Sequence, residues 1–329
     1  MSGSTAEAAA TGHIYVPRLL TDDAMDELAA LGRPLVIGDV EPPTRAQILH
    51  DIAGAAAVVC TLTERIDAEV LDAAGPGLRI VANTAVGYDN IDVAAARARD
   101  VLVTNTPGVL DRATADFAMG LILALSRRIS EGDRFLRAEV PWIWGPRMMV
   151  GLDLSAGTTL GIVGFGRIGR AVARRARAFD MRIVATPTRA ELTDDERATT
   201  EFLELPDLLR VSDVVSLHCP LTPQTHHLIG RDTLELMKPG ALLVNTARGP
   251  VVDTDALVAA LDSGRIRGAA LDVFEGEPAV DPRLLTMEQV LLTPHLGSAA
   301  STTRSDMCRL SVANAAAVLD GRPPLTPVS

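Results

Sequence analysis

The chain has 329 residues, a length that suggests about two domains. Apolar residues make up 47% and aromatic residues only 3%, which is typical of helices packed on parallel β-sheets rather than of an aromatic-rich β-sandwich. The formal net charge of −11 argues against a general affinity for nucleic acid or for an anionic membrane surface.

Short apolar runs alternate with helical stretches rich in alanine and charge, in two series along the chain. The first series has runs at residues 34–38, 56–60, 78–82 and 101–104; the second has runs at residues 158–163, 182–185, 213–217, 241–245, 268–272 and 289–293. A helical stretch at residues 113–137 separates the series, and the chain after Pro294 is helical again. This alternation predicts two parallel sheets with helices on both faces, the first of four or five strands and the second of six.

The order of these segments predicts two doubly wound α/β domains with a cleft between them. We expect the chain to leave the first domain, build the second and return. The first domain is then discontinuous, with residues 1–107 and 296–329, and the second spans residues 108–295.

The second series opens with a glycine-rich loop, in which Gly164, Gly166 and Gly169 have the spacing GxGxxG between an apolar run and a helical stretch. In this context Gly164 permits a tight turn, Gly166 lets the backbone approach a pyrophosphate, and Gly169 lets the helix pack closely on the strand. The N–H groups and dipole at the start of the helix favour phosphate. The loop therefore predicts a Rossmann dinucleotide site, the alternative being a glycine-rich turn that binds no ligand.

The end of the next apolar run bears on the choice of dinucleotide. Proteins that prefer NAD usually place an acidic residue there to bind the ribose 2′-hydroxyl, whereas here the first acid is Glu191. Pro187, Thr188 and Arg189 stand at this position, and a hydroxyl with a guanidinium suits a 2′-phosphate better. We expect NADP(H) as the preferred cofactor, bound by Thr188 and Arg189, with NAD(H) as the alternative if both side chains are only solvated loop residues.

Polar side chains follow three later runs of the second series. Arg248 follows the run at 241–245, Glu275 and Glu277 follow the run at 268–272, and His295 follows the last run. Because ligands bind at the carboxyl ends of strands in open α/β sheets, we expect these residues to lie near the glycine loop. An arginine can bind a carboxylate, a histidine can act as acid and base, and a glutamate can orient the histidine. The structural alternatives are a surface ion pair for the arginine, solvated loop glutamates and a histidine with no chemical role.

Seven ordered motifs resemble the D-isomer-specific 2-hydroxyacid dehydrogenase family, at residues 83–92, 105–108, 164–169, 218–222, 245–249, 272–278 and 293–298. The resemblance implies a flavodoxin-like substrate domain, a Rossmann cofactor domain and an NAD(P)-dependent oxidoreductase. It implies a catalytic set of Arg248, Glu277 and His295, and binding of a substrate carboxylate by the main-chain N–H groups of Val86 and Gly87. It also implies cofactor contacts at Thr114, Arg167, Ile168, Cys219, Pro220, Thr246, Ala247, Asp272 and Gly297.

Two further motifs, at residues 141–146 and 221–225, are similar to those of glyoxylate reductases and favour glyoxylate or hydroxypyruvate as substrate. Trp144 resembles a tryptophan that glyoxylate reductases extend into the pocket of a neighbouring subunit; packing within its own chain is the alternative. The resemblance also implies a homodimer. The other functions considered are a 3-phosphoglycerate dehydrogenase and a non-catalytic dinucleotide-sensing regulatory protein.

Three widely spaced cysteines, Cys60, Cys219 and Cys308, form no CxxC motif, so we predict neither a disulfide framework nor a metal site. The first twelve residues contain Glu7 and no basic segment, which favours a short tail over a secretion signal. No run approaches the ~18 apolar residues of a transmembrane helix. The sequence predicts a cytoplasmic protein.

Overall fold

The computed structural model describes residues 12–328, so the predicted N-terminal tail lies outside the described residues except for Gly12. The described chain divides into two compact units. One comprises the described residues up to Leu110 and those from Ala300 onward; the other comprises Asp111–Ala299. Both are parallel α/β units, which confirms the predicted fold class.

The first unit contains, within the described residues, five parallel strands in the order β2-β1-β3-β4-β5. Its elements are β1 (His13–Val16), α1 (Asp22–Ala30), β2 (Leu35–Ile37), α2 (Arg45–Asp51), β3 (Ala55–Cys60), α3 (Ala68–Ala74), β4 (Ile80–Asn83), α4 (Val93–Arg97), β5 (Leu102–Thr104) and, near the C-terminus, the helix Ser301–Leu319. Every residue of β3 and β4 is buried, since helices cover both faces of this sheet.

The second unit contains, among Asp111–Ala299, seven parallel strands in the order β12-β11-β10-β9-β6-β7-β8. Its elements are α5 (Asp111–Ser126), α6 (Ile129–Arg137), β6 (Thr159–Val163), α7 (Arg167–Arg177), β7 (Arg182–Ala185), α8 (Asp194–Thr199), β8 (Glu201–Phe202), α9 (Leu205–Val211), β9 (Val214–Leu217), α10 (Arg231–Leu236), β10 (Leu242–Asn245), α11 (Thr254–Asp262), β11 (Gly268–Leu271), α12 (Pro282–Thr286) and β12 (Val290–Leu292). The helix Ser301–Leu319 of the first unit is α13.

Two apolar cores cover the faces of the second sheet. One includes Ile122 of α5 and Val172 of α7, both with no exposed surface. The other includes Leu208 of α9 and Leu257 of α11. Because both faces of this sheet are buried, its strands are continuous apolar runs in the sequence.

Three local features differ from the sequence-based expectations. β1 and β8 were not among the predicted runs; β1 begins with the polar residue His13, and β8 has only two residues. The predicted helix over residues 113–137 is broken into α5 and α6 at Arg128, whose φ of 54° lies in the left-handed region.

Among residues 12–328, no helix is long and apolar enough to cross a membrane. Cys60, Cys219 and Cys308 are buried and free.

Candidate active site

The glycine loop joins β6 to α7, and its three glycines meet different steric demands. Gly164 has a φ of 96°, and a Cβ atom there would lie 2.6 Å from the main-chain nitrogen of Cys219. A Cβ atom on Gly169 would lie 2.2 Å from the carbonyl oxygen of Gly164, so glycine is required where the helix packs on the strand. At Gly166, the residue before α7, a Cβ atom would meet no heavy atom of the described residues within 4 Å.

This open space lies directly before the N-terminus of α7, an eleven-residue helix. The first N–H groups of a helix have no partner within the helix and carry a partial positive charge, which favours an anion. A glycine with free space at this point lets the phosphate groups of a ligand approach the main chain. The residues present therefore fit a dinucleotide.

The end of β7 lies beside this loop. The Gly164 N–H donates to Thr186 Oγ1 at 2.9 Å, so a side chain at the end of β7 holds the turn. Arg189 and Arg167 are exposed, and Thr188 is half-buried, with its Oγ1 accepting from the Ala190 N–H at 3.2 Å. Sequence reasoning missed Thr186, although a threonine directly after the strand was a usable signal.

His295 and Glu277 form a direct pair. Their strands, β12 and β11, are neighbours in the sheet, and His295 Nδ1 lies 2.9 Å from Glu277 Oε2. The Phe274 N–H donates to the other carboxylate oxygen of Glu277 at 2.8 Å. Burial would raise the pKa of Glu277, but these hydrogen bonds, and the charges of His295 and Arg248, hold it below its ordinary value. The carboxylate is therefore ionised at neutral pH next to the imidazole.

Arg248 lies in the turn after β10, the strand next to β11. Asn245 holds this turn, since its Nδ2 donates to the Arg248 carbonyl at 2.9 Å and its Oδ1 accepts from the Ala247 N–H at 3.0 Å. The following Gly249 packs so tightly that a Cβ atom there would lie 1.9 Å from the carbonyl carbon of Phe274. The turns that carry Arg248 and Glu277 are thus in van der Waals contact, and the three predicted catalytic residues come together at one edge of the sheet.

The segment that carries His295 is anchored by Asp272, which is 1% exposed. Its carboxylate accepts hydrogen bonds at 2.7–2.8 Å from Thr293 Oγ1, the Leu296 N–H and the Gly297 N–H. The His295 N–H donates to the Asp272 carbonyl at 2.9 Å, and the φ of His295 is 55°. Burial raises the pKa of Asp272 although these hydrogen bonds oppose the change. Such a positive φ in a histidine is uncommon and persists where surrounding contacts enforce it.

Several other predicted cofactor residues line the same edge. Cys219, which follows β9, packs against Gly164, and Gly297 packs against Thr114 of α5. Pro220 is exposed and Ala247 is buried. Thr246 Oγ1 lies 3.4 Å from Nδ1 of His218, whose Nε2 lies 2.8 Å from Ser216 Oγ. Burial lowers the pKa of His218 to about 4, so this histidine is neutral at physiological pH. Sequence reasoning gave His218 no role.

The two glutamates of the turn after β11 have different partners. Glu275 pairs with His227 at 2.6 Å and accepts from the Thr254 N–H at 3.0 Å, away from His295. Each of the two exposed glutamates thus has a histidine partner, His227 for Glu275 and His295 for Glu277.

Two remaining predictions concern other parts of the molecule. Trp144 is 76% exposed in the described structure. Val86 and Gly87 lie in the first unit, in the turn after β4, and both are half-buried.

The second unit thus has a parallel sheet with a glycine loop at its first β–α turn. At neighbouring strand ends it has a histidine–glutamate pair beside an arginine. This arrangement is typical of an oxidoreductase that uses a nicotinamide dinucleotide. The chain belongs to the D-isomer-specific 2-hydroxyacid dehydrogenase family. The model of that family's NAD-binding domain matches residues 119–297. The protein is thus an NAD(P)-dependent oxidoreductase that acts on CH–OH donors.

Similar proteins cover nearly the whole chain. A glyoxylate reductase from Thermococcus gammatolerans is 46% identical over 321 residues, which cover 96% of this chain and 95% of the relative. One from Korarchaeum cryptofilum is 50% identical over 289 residues, 87% of this chain and 86% of the relative. Among solved structures, the TT0316 protein from Thermus thermophilus has a TM-score of 0.89 at 45% identity, covering 96% of this chain and all (100%) of that chain. An NADPH-dependent glyoxylate/hydroxypyruvate reductase from Sinorhizobium meliloti, in complex with NADP and malonate, has a TM-score of 0.84 at 34% identity and covers 97% of each chain.

Proposed function

We propose that the protein reduces a small 2-keto acid, glyoxylate or hydroxypyruvate, to the D-2-hydroxy acid, with His295 as the acid that protonates the carbonyl oxygen. The observation that carries the proposal is the 2.9 Å pair of His295 Nδ1 and Glu277 Oε2, beside the turn that carries Arg248. The glyoxylate reductases that are similar over most of this chain support the choice of substrate.

Each of the three side chains has a separate task in this mechanism. Because Nδ1 of His295 faces Glu277, its Nε2 is the ring nitrogen left to hold and donate the proton. Glu277, kept ionised by its surroundings, stabilises the imidazolium and fixes the ring orientation. The Arg248 guanidinium binds the substrate carboxylate and neutralises charge that develops on the carbonyl oxygen.

The cofactor site is formed by Gly164, Gly166 and Gly169, the first N–H groups of α7 at Arg167 and Ile168, and the strand-end residues Thr114, Cys219, Pro220, Thr246, Ala247, Asp272 and Gly297. When bound, the reduced nicotinamide supplies the hydride. We propose NADP(H) as the preferred form because exposed Arg189, with Thr188, stands where a carboxylate would select NAD. The Sinorhizobium meliloti reductase that binds NADP supports this preference.

For the substrate carboxylate we propose the main-chain N–H groups of Val86 and Gly87 as further ligands, as the family resemblance implies. The segment 108–295 is then the dinucleotide-binding domain, and residues 1–107 with 296–329 form the substrate domain. The buried free cysteines support the prediction of a cytoplasmic location.

We also propose a homodimer. Ile143 is 93% exposed and Trp144 is 76% exposed, and neighbouring apolar side chains are exposed as well: Ile129, Leu136, Val140, Trp142 and Val150. Exposing this many large apolar side chains within residues 129–150 to water is unfavourable, and a second copy of the chain would cover them. Trp144 is then the residue that reaches the neighbouring subunit.

The decisive experiment is a panel of 2-keto acids assayed with NADPH and with NADH. We expect kcat/KM to be highest for glyoxylate or hydroxypyruvate, and at least about tenfold higher with NADPH than with NADH. A clear preference for NADH would contradict the role of Thr188 and Arg189. Activity confined to 3-phosphoglycerate, or no turnover with any acid, would favour the phosphoglycerate dehydrogenase or the regulatory protein instead.

A further inference from the structure

Three consecutive peptide groups follow β4, and each has its carbonyl oxygen held by a hydrogen bond from within the first unit. The pairs are the Thr106 N–H to the Ala85 carbonyl at 2.9 Å, Asn105 Nδ2 to the Val86 carbonyl at 2.8 Å, and Asn83 Nδ2 to the Gly87 carbonyl at 2.8 Å. Such bonds fix the plane of each peptide group.

Because these carbonyl groups are fixed, the directions of the Val86 and Gly87 N–H groups are fixed as well. In a trans peptide group the N–H points opposite the carbonyl, and within residues 12–328 the only cis bond is Glu277–Pro278. The Val86 N–H therefore faces away from Thr106, and the Gly87 N–H faces away from Asn105. Neither N–H donates to another described residue. Two successive N–H groups turned the same way are suited to an anion.

Asn105 is itself held on both sides of its main chain by the C-terminal segment. Its N–H donates to the Thr326 carbonyl at 3.3 Å, and Thr326 Oγ1 donates to the Asn105 carbonyl at 2.6 Å. Thr326 in turn donates its N–H at 3.0 Å to Oδ1 of Asn314, a side chain of α13 with no exposed surface. The Asn105 side chain thus projects from a fixed point.

We propose that Asn105 is a positioning residue for the substrate carboxylate: by holding the Val86 carbonyl, it directs the Gly87 N–H at the bound acid. The proposal rests on the proposed binding of a carboxylate at Val86 and Gly87. An amide is needed because it donates a hydrogen bond to the carbonyl; an aspartate of the same shape offers only acceptors when ionised and repels the carbonyl oxygen.

The test compares Asn105→Asp and Asn105→Ala with the wild type, each as the full chain with saturating reduced dinucleotide. The readouts are KM for glyoxylate, kcat, and the Kd of oxamate, an unreactive carboxylate of similar size, by calorimetry. We expect KM and the Kd of oxamate to rise together, about tenfold for alanine and more for aspartate, because a hydrogen bond to a charged group is lost. The change in kcat and in KM for the dinucleotide should stay below about threefold, as for a group that binds substrate and transition state alike.

Ser311→Ala is the matched control, since it removes a buried hydroxyl of the same unit, which accepts from Thr84 Oγ1 at 3.0 Å, and leaves Asn105 and its partners in place. We expect a lower melting temperature and a KM for glyoxylate within about twofold of the wild type. Unchanged oxamate affinity in a folded Asn105 variant, or an equal loss in Ser311→Ala, would overturn the proposal. If the wild type reduces no 2-keto acid, the proposed function fails, and the oxamate affinities of the same chains still decide the role of Asn105.

Discussion

Gly166 allows the ligand site and the stability of the fold to be tested apart. Its backbone has φ −83° and ψ −160°, an extended conformation that alanine adopts, and a Cβ atom would meet no described heavy atom within 4 Å. At the residue before a helix, alanine destabilises the folded state relative to glycine by up to ~1 kcal/mol. Alanine also reduces the conformational entropy of the unfolded chain, which stabilises the folded state by about 0.4–1 kcal/mol and offsets this loss. We therefore expect Gly166→Ala to change the free energy of unfolding by less than about 1 kcal/mol.

The same methyl group would fill the space before the N-terminus of α7. If phosphate groups lie there, a charge-assisted hydrogen bond worth about 1.5–3 kcal/mol is lost, and the Kd of NADPH rises about tenfold to a hundredfold. Fluorescence titration with NADPH measures the affinity, and chemical denaturation measures the stability. Gly132→Ala on α6, where a Cβ atom also meets nothing within 4 Å, is the control and should leave the Kd unchanged.

Gly164→Ala, unlike Gly166→Ala, should strongly lower the free energy of unfolding. The φ of 96° lies where alanine is strained, and the Cβ atom would lie 2.6 Å from the nitrogen and 2.8 Å from the Cα of Cys219. Backbone strain and overpacking each cost about 1–3 kcal/mol, so the free energy of unfolding should fall by about 2–6 kcal/mol. NADPH binding by Gly166→Ala that matches the wild type would refute the reasoning about the ligand, and an equally stable Gly164→Ala would refute the reasoning about the turn.

Three further predictions concern catalysis, assembly and pH. His295→Asn, in which asparagine tolerates the φ of 55°, should lower kcat about a hundredfold or more while NADPH still binds; a near-normal rate in steady-state assays would exclude His295 as the acid. Replacing Ile143 and Trp144 together by serine should weaken the dimer in sedimentation experiments without lowering the melting temperature of the monomer, and an unchanged dimer would place the interface elsewhere. Because the folded state lowers the pKa of His218 from 6.5 to about 4, the unfolded chain binds the extra proton, and stability should fall by about 3 kcal/mol as the pH is lowered through this range. His218→Asn should remove that part of the pH dependence in denaturation experiments, and an unchanged slope would contradict the assignment.

The sequence by itself determined those features that depend on neighbours along the chain. Apolar runs buried on both sides predicted the parallel sheets, and the GxGxxG spacing after such a run predicted the turn at Gly164. Ligands lie at the carboxyl ends of parallel strands, and this rule predicted that Arg248, Glu277 and His295 lie at one edge of the sheet. The structure places them at that edge. Short elements escaped this reasoning, since β8 has two residues and the left-handed Arg128 that ends α5 has no periodic signature.

Only the tertiary structure decided which groups touch. Residue spacing could not assign Glu277 rather than Glu275 to His295; only the family resemblance implied Glu277. The choice depends on how the turn after β11 folds against the segment after β12. Two other contacts likewise join different strand ends. Asp272 anchors the segment that carries His295, and the Gly164 N–H donates to Thr186. Hydrophobic periodicity reports which face of an element is buried, whereas side-chain partners across strands are selected by packing and by the need to pair buried polar groups.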